Sequence, residues 1–434
     1  MLSFLLLLLP LAWSYDVDAA APGTLVSHIN QKFANFQNLQ NSWVFNVVSQ
    51  DSFGTPNVIT TSILQPTNAN ASRVVSYQIP EDAATIECAP SVNLLGNNFT
   101  GVSDINLLLS QGYYVVIPDY EGPKLAFLAG HQAGHAILDS LRAVLLSKNI
   151  TGIENTALVN LWGFSGGSFA SGWAASLQPT YAPELSANLV GVAVGGFVTD
   201  IKAVVKHIDG SPFSGLIAAG IAGLMNEYPD FATQLTSHST YTGFSEFSKQ
   251  CSMDTVLKFP FTQFFSGPFR IFPDGWSLAD AEPAKTVIAS NSLLKQTDPE
   301  IMPRVPVFIY HGSVDEIVPV QNSNDIYAKW CGAGISSLEF AEDLTSGHLM
   351  EGSIGTPAAI AWMTNRFKGL SVVEGCTHQK RLNNLFYPGI DPVVVQAVKF
   401  EIEMRFGGLG QDIKQDKPSL EELQAYASKN DAVI

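Results

Sequence analysis

Three observations predict an α/β fold with a mostly parallel central sheet, helices on both faces and an inserted, mainly helical cap. A Gly-x-Ser-x-Gly box, Gly163-Phe164-Ser165-Gly166-Gly167, stands between a strand-like run and a helix-like run. Short apolar runs alternate with helix-period stretches on either side of it, the pattern of a parallel sheet covered on both faces. From about Thr199 to Ser292 the alternation gives way to helix-like segments alone, as an insertion would. The chain of 434 residues is long enough for one large domain carrying such an insertion. Hydrophobic residues at 46% and charged residues at 14% exclude a disordered chain.

The elements are justified in chain order. The start, MLSFLLLLLPLAWS, has an apolar core with small residues at Ala12 and Ser14, so residues 1–14 read as a secretory signal peptide. It lacks a Lys or Arg before the core, and the run is shorter than the roughly 20 residues of a bilayer span. The mature chain is therefore expected to be secreted and extracellular, with no transmembrane segment. Sequons at Asn70, Asn98 and Asn149 fit that route as glycosylation acceptors.

Residues 15–198 are expected to form the first part of the sheet domain. Tyr113 to Pro118 (YYVVIP) is a buried-strand pattern stopped by turn residues, and Gly134 to Leu146 carries Ile137, Leu141, Val144 and Leu145 at helical spacing. The run Ala157 to Trp162 is short enough for a buried strand, and Phe169, Trp173 and Leu177 recur at helical spacing after the box. Ser165 then sits on a strand-to-helix elbow, with the first helical N–H groups, beginning at Gly166, beside it. A further strand-like run, Leu189 to Val194, follows.

Residues 199–292 are the expected cap or lid. Ten of the 26 phenylalanines lie between Phe213 and Phe272. Phe213 to Met225 is apolar on nearly every side. It reads either as a buried helix with small residues for close packing or as part of a cap lining an apolar tunnel or meeting a lipid surface, and both can hold together.

Residues 293–434 are expected to complete the sheet domain, with strands at Val305 to Tyr310 and Leu338 to Ala341, a helix at Pro357 to Phe367 and a polar tail. In that tail Ser419-Leu420-Glu421-Glu422 reads as a capping box opening a short helix.

A serine hydroxyl is a poor nucleophile until an imidazole, oriented by a carboxylate, takes its proton. Where this elbow occurs the chain order is serine, acid, histidine. His207 and His238 follow Ser165 but lie in the insertion, which leaves His311, His348 and His378. Asp315 follows a sheet strand in the loop HGSVDEIVP, and His348 follows the next strand in EDLTSGHLMEG. His311 precedes Asp315 and reads as a structural hydrogen-bonding residue; His378 lies beyond the alternating region. Asp343 is the second choice of acid, only five residues from His348. The catalytic reading is Ser165, Asp315 and His348, with no cofactor.

The net charge of -16 repels phosphate backbones, so nucleic acid is not an expected partner. Four cysteines, Cys88, Cys251, Cys331 and Cys376, suggest two disulfides in an oxidising compartment, and sequence permits three pairings. Without a C-x-x-C clip or an H-E-x-x-H pair, no metal site is expected.

SYQIPEDAATIECAPS near Ser76, GYYVVIPDYEGPKLAFLAGHQAGHAILD from Gly112, WGFSGGSFASGWAASLQPTYAPEL from Trp162, VPVFIYHGSVDEIVPV from Val305 and GHLMEGSIGTPAAIAW from Gly347 extend over most of the mature chain. Together they resemble the fungal secretory lipases of the lipase A type, an α/β-hydrolase family. The resemblance implies the α/β-hydrolase fold and hydrolysis of acylglycerols through an acyl-enzyme, with a lipid ester, met at a lipid-water interface, as substrate. It implies Ser165 as nucleophile, Asp315 as orienting acid, His348 as general base and acid, and oxyanion donors at Gly166 and Asp82. It also implies the pairs Cys88 with Cys251 and Cys331 with Cys376. A carboxylesterase or acyltransferase of the same fold is the alternative chemistry, and a catalytically dead hydrolase-fold binding protein the alternative class.

Overall fold

The computed structural model describes residues 17–96 and 101–406, with 424–425, 428–429 and 432–433 of the tail. The signal sequence, Asn98 and the capping box at Ser419 lie outside the described residues.

Eleven strands form one sheet: β1 Leu25–Asn30, β2 Leu39–Gln50, β3 Pro56–Pro66, β4 Arg73–Gln78, β5 Tyr114–Pro118, β6 Leu158–Phe164, β7 Leu189–Gly195, β8 Val307–Gly312, β9 Ser337–Asp343, β10 Gly375–Arg381 and β11 Ala432–Val433. Their spatial order is β1-β2-β3-β5-β4-β6-β7-β8-β9-β10-β11. β1 to β3 pair antiparallel and β3 joins β5 antiparallel, whereas every pair from β5 through β4 to β11 is parallel. The order reverses at β4, which lies between β5 and β6. In an open α/β sheet the crevice outside the carboxyl ends of strands at such a reversal is where ligands bind.

Period-two alternation distributes the strand side chains between two cores. Val74, Val116, Leu161, Val192, Val194, Val307 and Ile309 pack with Ile137, Leu141, Phe169 and Trp173 of the helices Gly130–Leu145 and Gly166–Tyr181. Their neighbours Val75, Val115, Trp162, Ala193, Phe308 and Tyr310 pack on the opposite face with Ile105, Leu108, Trp362 and Met363 of the helices Val102–Ser110 and Thr356–Phe367. Burial on both sides is why β5 and β8 read as continuous apolar runs.

The chain between β7 and β8 contains helices and no strand. They include Ile201–Ile208, Gly215–Glu227, Pro229–Ser237, Ser252–Lys258, Trp276–Ala279 and Ala284–Ser290. Most of the phenylalanines here pack against one another: Phe247 contacts Phe244, Phe259 and Phe264, and Phe265 stacks between Phe272 and Trp276. In the helix Gly215–Glu227 the small residues serve close approach. A Cβ at Gly215 would meet the Thr255 carbonyl, and one at Gly223 the Phe127 backbone.

Two sequence expectations are corrected. His378 lies inside the sheet, in β10, where its Nε2 meets Glu342 Oε2 at 2.7 Å and its ring stacks on Phe340. The strand GCTHQKR lacks apolar residues because only one of its positions is buried, so hydrophobic pattern could not mark it. His311, assigned to the loop after the strand, belongs to β8 itself.

Candidate active site

The elbow at Ser165 is enforced by its neighbours. Ser165 has φ 54° and ψ -124°, a conformation that side-chain-bearing residues rarely adopt, between β6 and the helix Gly166–Tyr181. The chain tolerates it because the flanking glycines let backbones touch. A Cβ at Gly163 would run into the Gly167 carbonyl, and one at Gly167 into the Gln78 carbonyl of β4. The Ser165 N–H donates to Gly195 O at 2.9 Å, fixing the turn to β7.

Asp315 and His348 arrive from the carboxyl ends of β8 and β9. Ser165 Oγ is 2.8 Å from His348 Nε2, and His348 Nδ1 is 2.7 Å from Asp315 Oδ2. Asp315 Oδ1 accepts the N–H groups of Ile317 at 2.9 Å and Val318 at 2.6 Å. Burial alone would raise the Asp315 carboxyl. The neighbouring His348 and His311 outweigh it and hold the group well below the usual carboxylate range. The carboxylate is therefore charged wherever the imidazole needs orienting.

Asp82 presents the opposite environment. It follows β4 with φ 46° and sits beside Gly166, where a Cβ would land on its Oδ1. That Oδ1 has no hydrogen-bond partner. Burial pushes the carboxyl up to about 6 from 3.8, against the opposing pull of His348. Gly166 opens its helix, and the first N–H groups of a helix have no intrahelical acceptor. Ser165, Gly166 and Asp82 therefore line one space with a free N–H and a carboxyl that keeps its proton in acid.

That space is an apolar cavity. Phe127 and Leu128 wall one part; Ile201, Val205, Leu216, Ile217, Ile221, Leu224, Phe231, Phe265 and Trp276 come from the helical segment between β7 and β8. Asp82 and Lys202 are the ionisable side chains on its lining.

The other sequence candidates fall elsewhere. Asp343 is buried at the end of β9, where its carboxylate accepts the N–H groups of Thr345, Ser346 and Asn384 and so shapes the loop leading to His348. His207 is exposed, and His238 pairs with Asp274 at the surface. Cys88 is bonded to Cys251 and Cys331 to Cys376. Asn149 is exposed, and Asn70 is half-buried with Oδ1 accepting from Ser72. Among the described residues no group of three or more His, Cys, Asp or Glu is placed to hold a metal ion. Nor is any helix among them long and apolar enough to cross a membrane.

Sequence reasoning missed two supports. Glu316 accepts the N–H groups of His348 at 2.7 Å and Leu349 at 3.2 Å, holding the start of the helix His348–Ile354. The buried carboxyls of Glu81 and Glu121 lie against each other behind Asp82, both pushed well above the usual range, first by burial and then by neighbouring acidic groups. The only sequence signal was an aspartate beside Glu316 and beside Glu81, and Glu121 had none.

A family model described as secretory lipase matches residues 100–375. Lipase 5 of Candida albicans is 46% identical over 399 residues, covering 90% of this chain and 86% of its own. Lipase 4 of the same organism is 44% identical over 395 residues, covering 89% and 86%. Among solved structures, the X-ray structure of Candida antarctica lipase A superposes with a TM-score of 0.78 at 25% identity, covering 88% of this chain and 92% of that one. Its closed state superposes with the same score at 26% identity.

Proposed function

The chain belongs to the secretory lipase family, and from that premise we propose that it is a secreted triacylglycerol lipase acting through Ser165, His348 and Asp315. The observation that carries the proposal is the unbroken chain from Asp315 Oδ2 through His348 to Ser165 Oγ, 2.7 and 2.8 Å, opening onto an apolar cavity.

In the proposed cycle His348 Nε2 accepts the Ser165 proton while the serine oxygen attacks the ester carbonyl. Negative charge develops on the carbonyl oxygen, where the Gly166 N–H and the protonated Asp82 carboxyl donate to it. His348 returns its proton to the leaving alcohol, and the acyl chain stays on Ser165 as an ester. Water, deprotonated by His348, then attacks that ester. The fatty acid leaves, and the proton returns to Ser165. The reaction needs no electron acceptor and no cofactor.

The helical segment, residues 199–292 in the sequence reading, serves in this proposal as the cap that lines the acyl-chain site. Its contribution of most of the apolar lining supports that role. Substrate is taken from a lipid-water interface. The family's secretory character, the two disulfides and the exposed Asn149 support an extracellular, glycosylated protein.

Hydrolysis of emulsified long-chain triacylglycerol and of soluble short esters by the purified protein and by Ser165→Ala tests the reading. Both activities are expected in the first and neither in the second. Hydrolysis confined to short soluble esters would make the protein a carboxylesterase, and an active Ser165→Ala would remove the triad.

A further inference from the structure

Asp315 has more partners than a triad requires. Its Oδ2 meets two imidazoles: His348 Nδ1 at 2.7 Å and His311 Nε2 at 3.0 Å. His311 is fully buried in β8. Its Nδ1 lies 3.3 Å from the Phe197 backbone nitrogen and 2.7 Å from Ser323 Oγ. A backbone N–H can only donate, so His311 Nδ1 is an acceptor and carries no proton. The ring proton is therefore on Nε2, directed at Asp315 Oδ2 and at Val318 O, 2.9 Å away. Val318 closes the arrangement, since its own N–H donates to Asp315 Oδ1.

We propose that His311 is a positioning residue of the catalytic apparatus: a second imidazole that fixes the orientation of Asp315 and limits how strongly Asp315 holds the His348 proton. This rests on the Ser165–His348–Asp315 reading above. A carboxylate has about four acceptor positions; here two backbone N–H groups and the His348 ring N–H fill three, and the His311 Nε2 proton, shared with Val318 O, faces the fourth. Of the four donors, His348 alone also meets Ser165. The other three determine where its partner carboxylate stands.

Each hydrogen bond to a carboxylate also spreads its charge. Remove the bond from His311 and Oδ2 becomes a stronger acceptor for His348 alone, which favours the protonated imidazole. A protonated His348 cannot take the Ser165 proton. The acid limb of kcat/KM would then move to higher pH.

The groups facing this assembly are few. His311 meets Asp315 and Val318 from the turn, Ser323 from the helix Gln321–Gly332 and Phe197 from the segment after β7. His348 faces Asp315, Asp82 and Ser165, with Glu316 on its backbone N–H and the Phe164 ring against its own. The charged neighbours of the imidazole are therefore carboxyls, and His311 is the group positioned to temper the nearest of them.

The test compares His311→Asn with His311→Gln. Asn keeps an acceptor near the Phe197 N–H and the Ser323 hydroxyl but is too short to reach Asp315; Gln restores an N–H at the reach of Nε2. In His311→Asn, kcat on a soluble ester should fall about tenfold to a hundredfold, as a displaced catalytic group does, with KM within about twofold. Its acid limb should rise by about half a pH unit or more. His311→Gln should recover most of kcat and the wild-type limb at a similar Tm. An unchanged kcat and acid limb in His311→Asn overturns the proposal. So does an equal loss in both variants that follows a fall in Tm, because that is what a purely structural histidine would give. Ser165→Ala and labelling of Ser165 by an alkyl phosphonate are run alongside. If Ser165→Ala stays active, the triad reading itself has failed; if it is dead while His311→Asn behaves as wild type, only the role of His311 has.

Discussion

Asp82 offers the sharpest test because its proton, and not only its position, is assigned work. With the carboxyl titrating at about 6, roughly half is protonated at pH 6, about a tenth at pH 7 and about a hundredth at pH 8. If that proton donates to the oxyanion, kcat/KM should fall about tenfold per unit above pH 6. Asp82→Asn keeps N–H donors at every pH, so its alkaline limb should flatten. Asp82→Ala should lose about 10²- to 10³-fold in kcat below pH 6, the usual cost of removing one oxyanion donor, and the deficit should shrink as wild type loses its own proton at higher pH. The fold should register the same group. A folded-state pKa raised from 3.8 to about 6 favours folding in acid, and that stability is lost as pH rises through this window. The 2.2-unit difference corresponds to about 3 kcal/mol, so Asp82→Asn should be the more thermostable protein above pH 7 and not below pH 4. Initial rates on a soluble ester from pH 4 to 9, with Tm measured in the same buffers, check both. An Asp82→Asn variant with the wild-type alkaline limb, or an Asp82→Ala variant with wild-type kcat, would refute the assignment.

Three further outcomes follow from named contacts. Ile221→Trp places a large ring in the cavity wall and should lower the ratio of kcat/KM for C16 over C4 p-nitrophenyl esters by about tenfold or more, the effect of losing a few buried methylenes; an unchanged ratio would exclude this wall from acyl-chain binding. Replacing both Cys88 and Cys251 by Ala opens a closure of 163 residues, which loop entropy values at up to about 5 kcal/mol, so chemical denaturation should show a clearly lower midpoint. Glu351 is buried beside Asp343, and burial followed by that charge pushes its carboxyl well above the usual range. Its stabilising contribution is therefore present in acid and lost as pH rises, and Glu351→Gln should raise Tm relative to wild type at pH 8 but not at pH 4.

How much of this the sequence disclosed depends on the kind of signal. The elbow was legible because steric necessity writes glycines at fixed offsets around Ser165. Asp315 and His348 were legible because chain order and the ends of β8 and β9 constrain them. Strands β5 to β9 were found because burial on both faces leaves nearly unbroken apolar runs. β10 was invisible for the converse reason, and β1 to β3 were passed over although Trp43, Phe45 and Val47 alternate as a half-buried strand should. The helical segment between β7 and β8 was legible as a composition, but its phenylalanines were misleading: most make the segment's own core, and only Phe231 and Phe265 of the ten line the cavity. Glu316, the meeting of His311 with Asp315 and the Glu81–Glu121 contact depend on which groups tertiary packing brings to a carboxyl, information that no local pattern carries.

The candidate active site holds two buried aspartates, and their surroundings explain why they are proposed to do opposite things. Asp315 is 6% exposed and Asp82 9%, so burial alone would keep both protonated. Asp315 receives two backbone N–H groups and the His348 ring N–H, with His311 Nε2 at 3.0 Å, and the pull of the two imidazoles makes the charged form win. Asp82 Oδ1 receives none, burial outweighs the opposing pull of His348, and the neutral form persists to about pH 6. The division gives each residue its proposed chemistry: a carboxylate that orients an imidazolium, and a carboxylic acid that donates to an oxyanion. It also restricts the working range from both sides. The proposed cycle needs His348 free of its extra proton and Asp82 in possession of its own. Donors that weaken the hold of Asp315 on the His348 proton widen that range at its acid end, where Asp82 is fully protonated. An enzyme built this way should work best in mildly acidic medium, and exchanging the two environments, by removing donors from Asp315 or supplying them to Asp82, should narrow the pH window before it unfolds the protein.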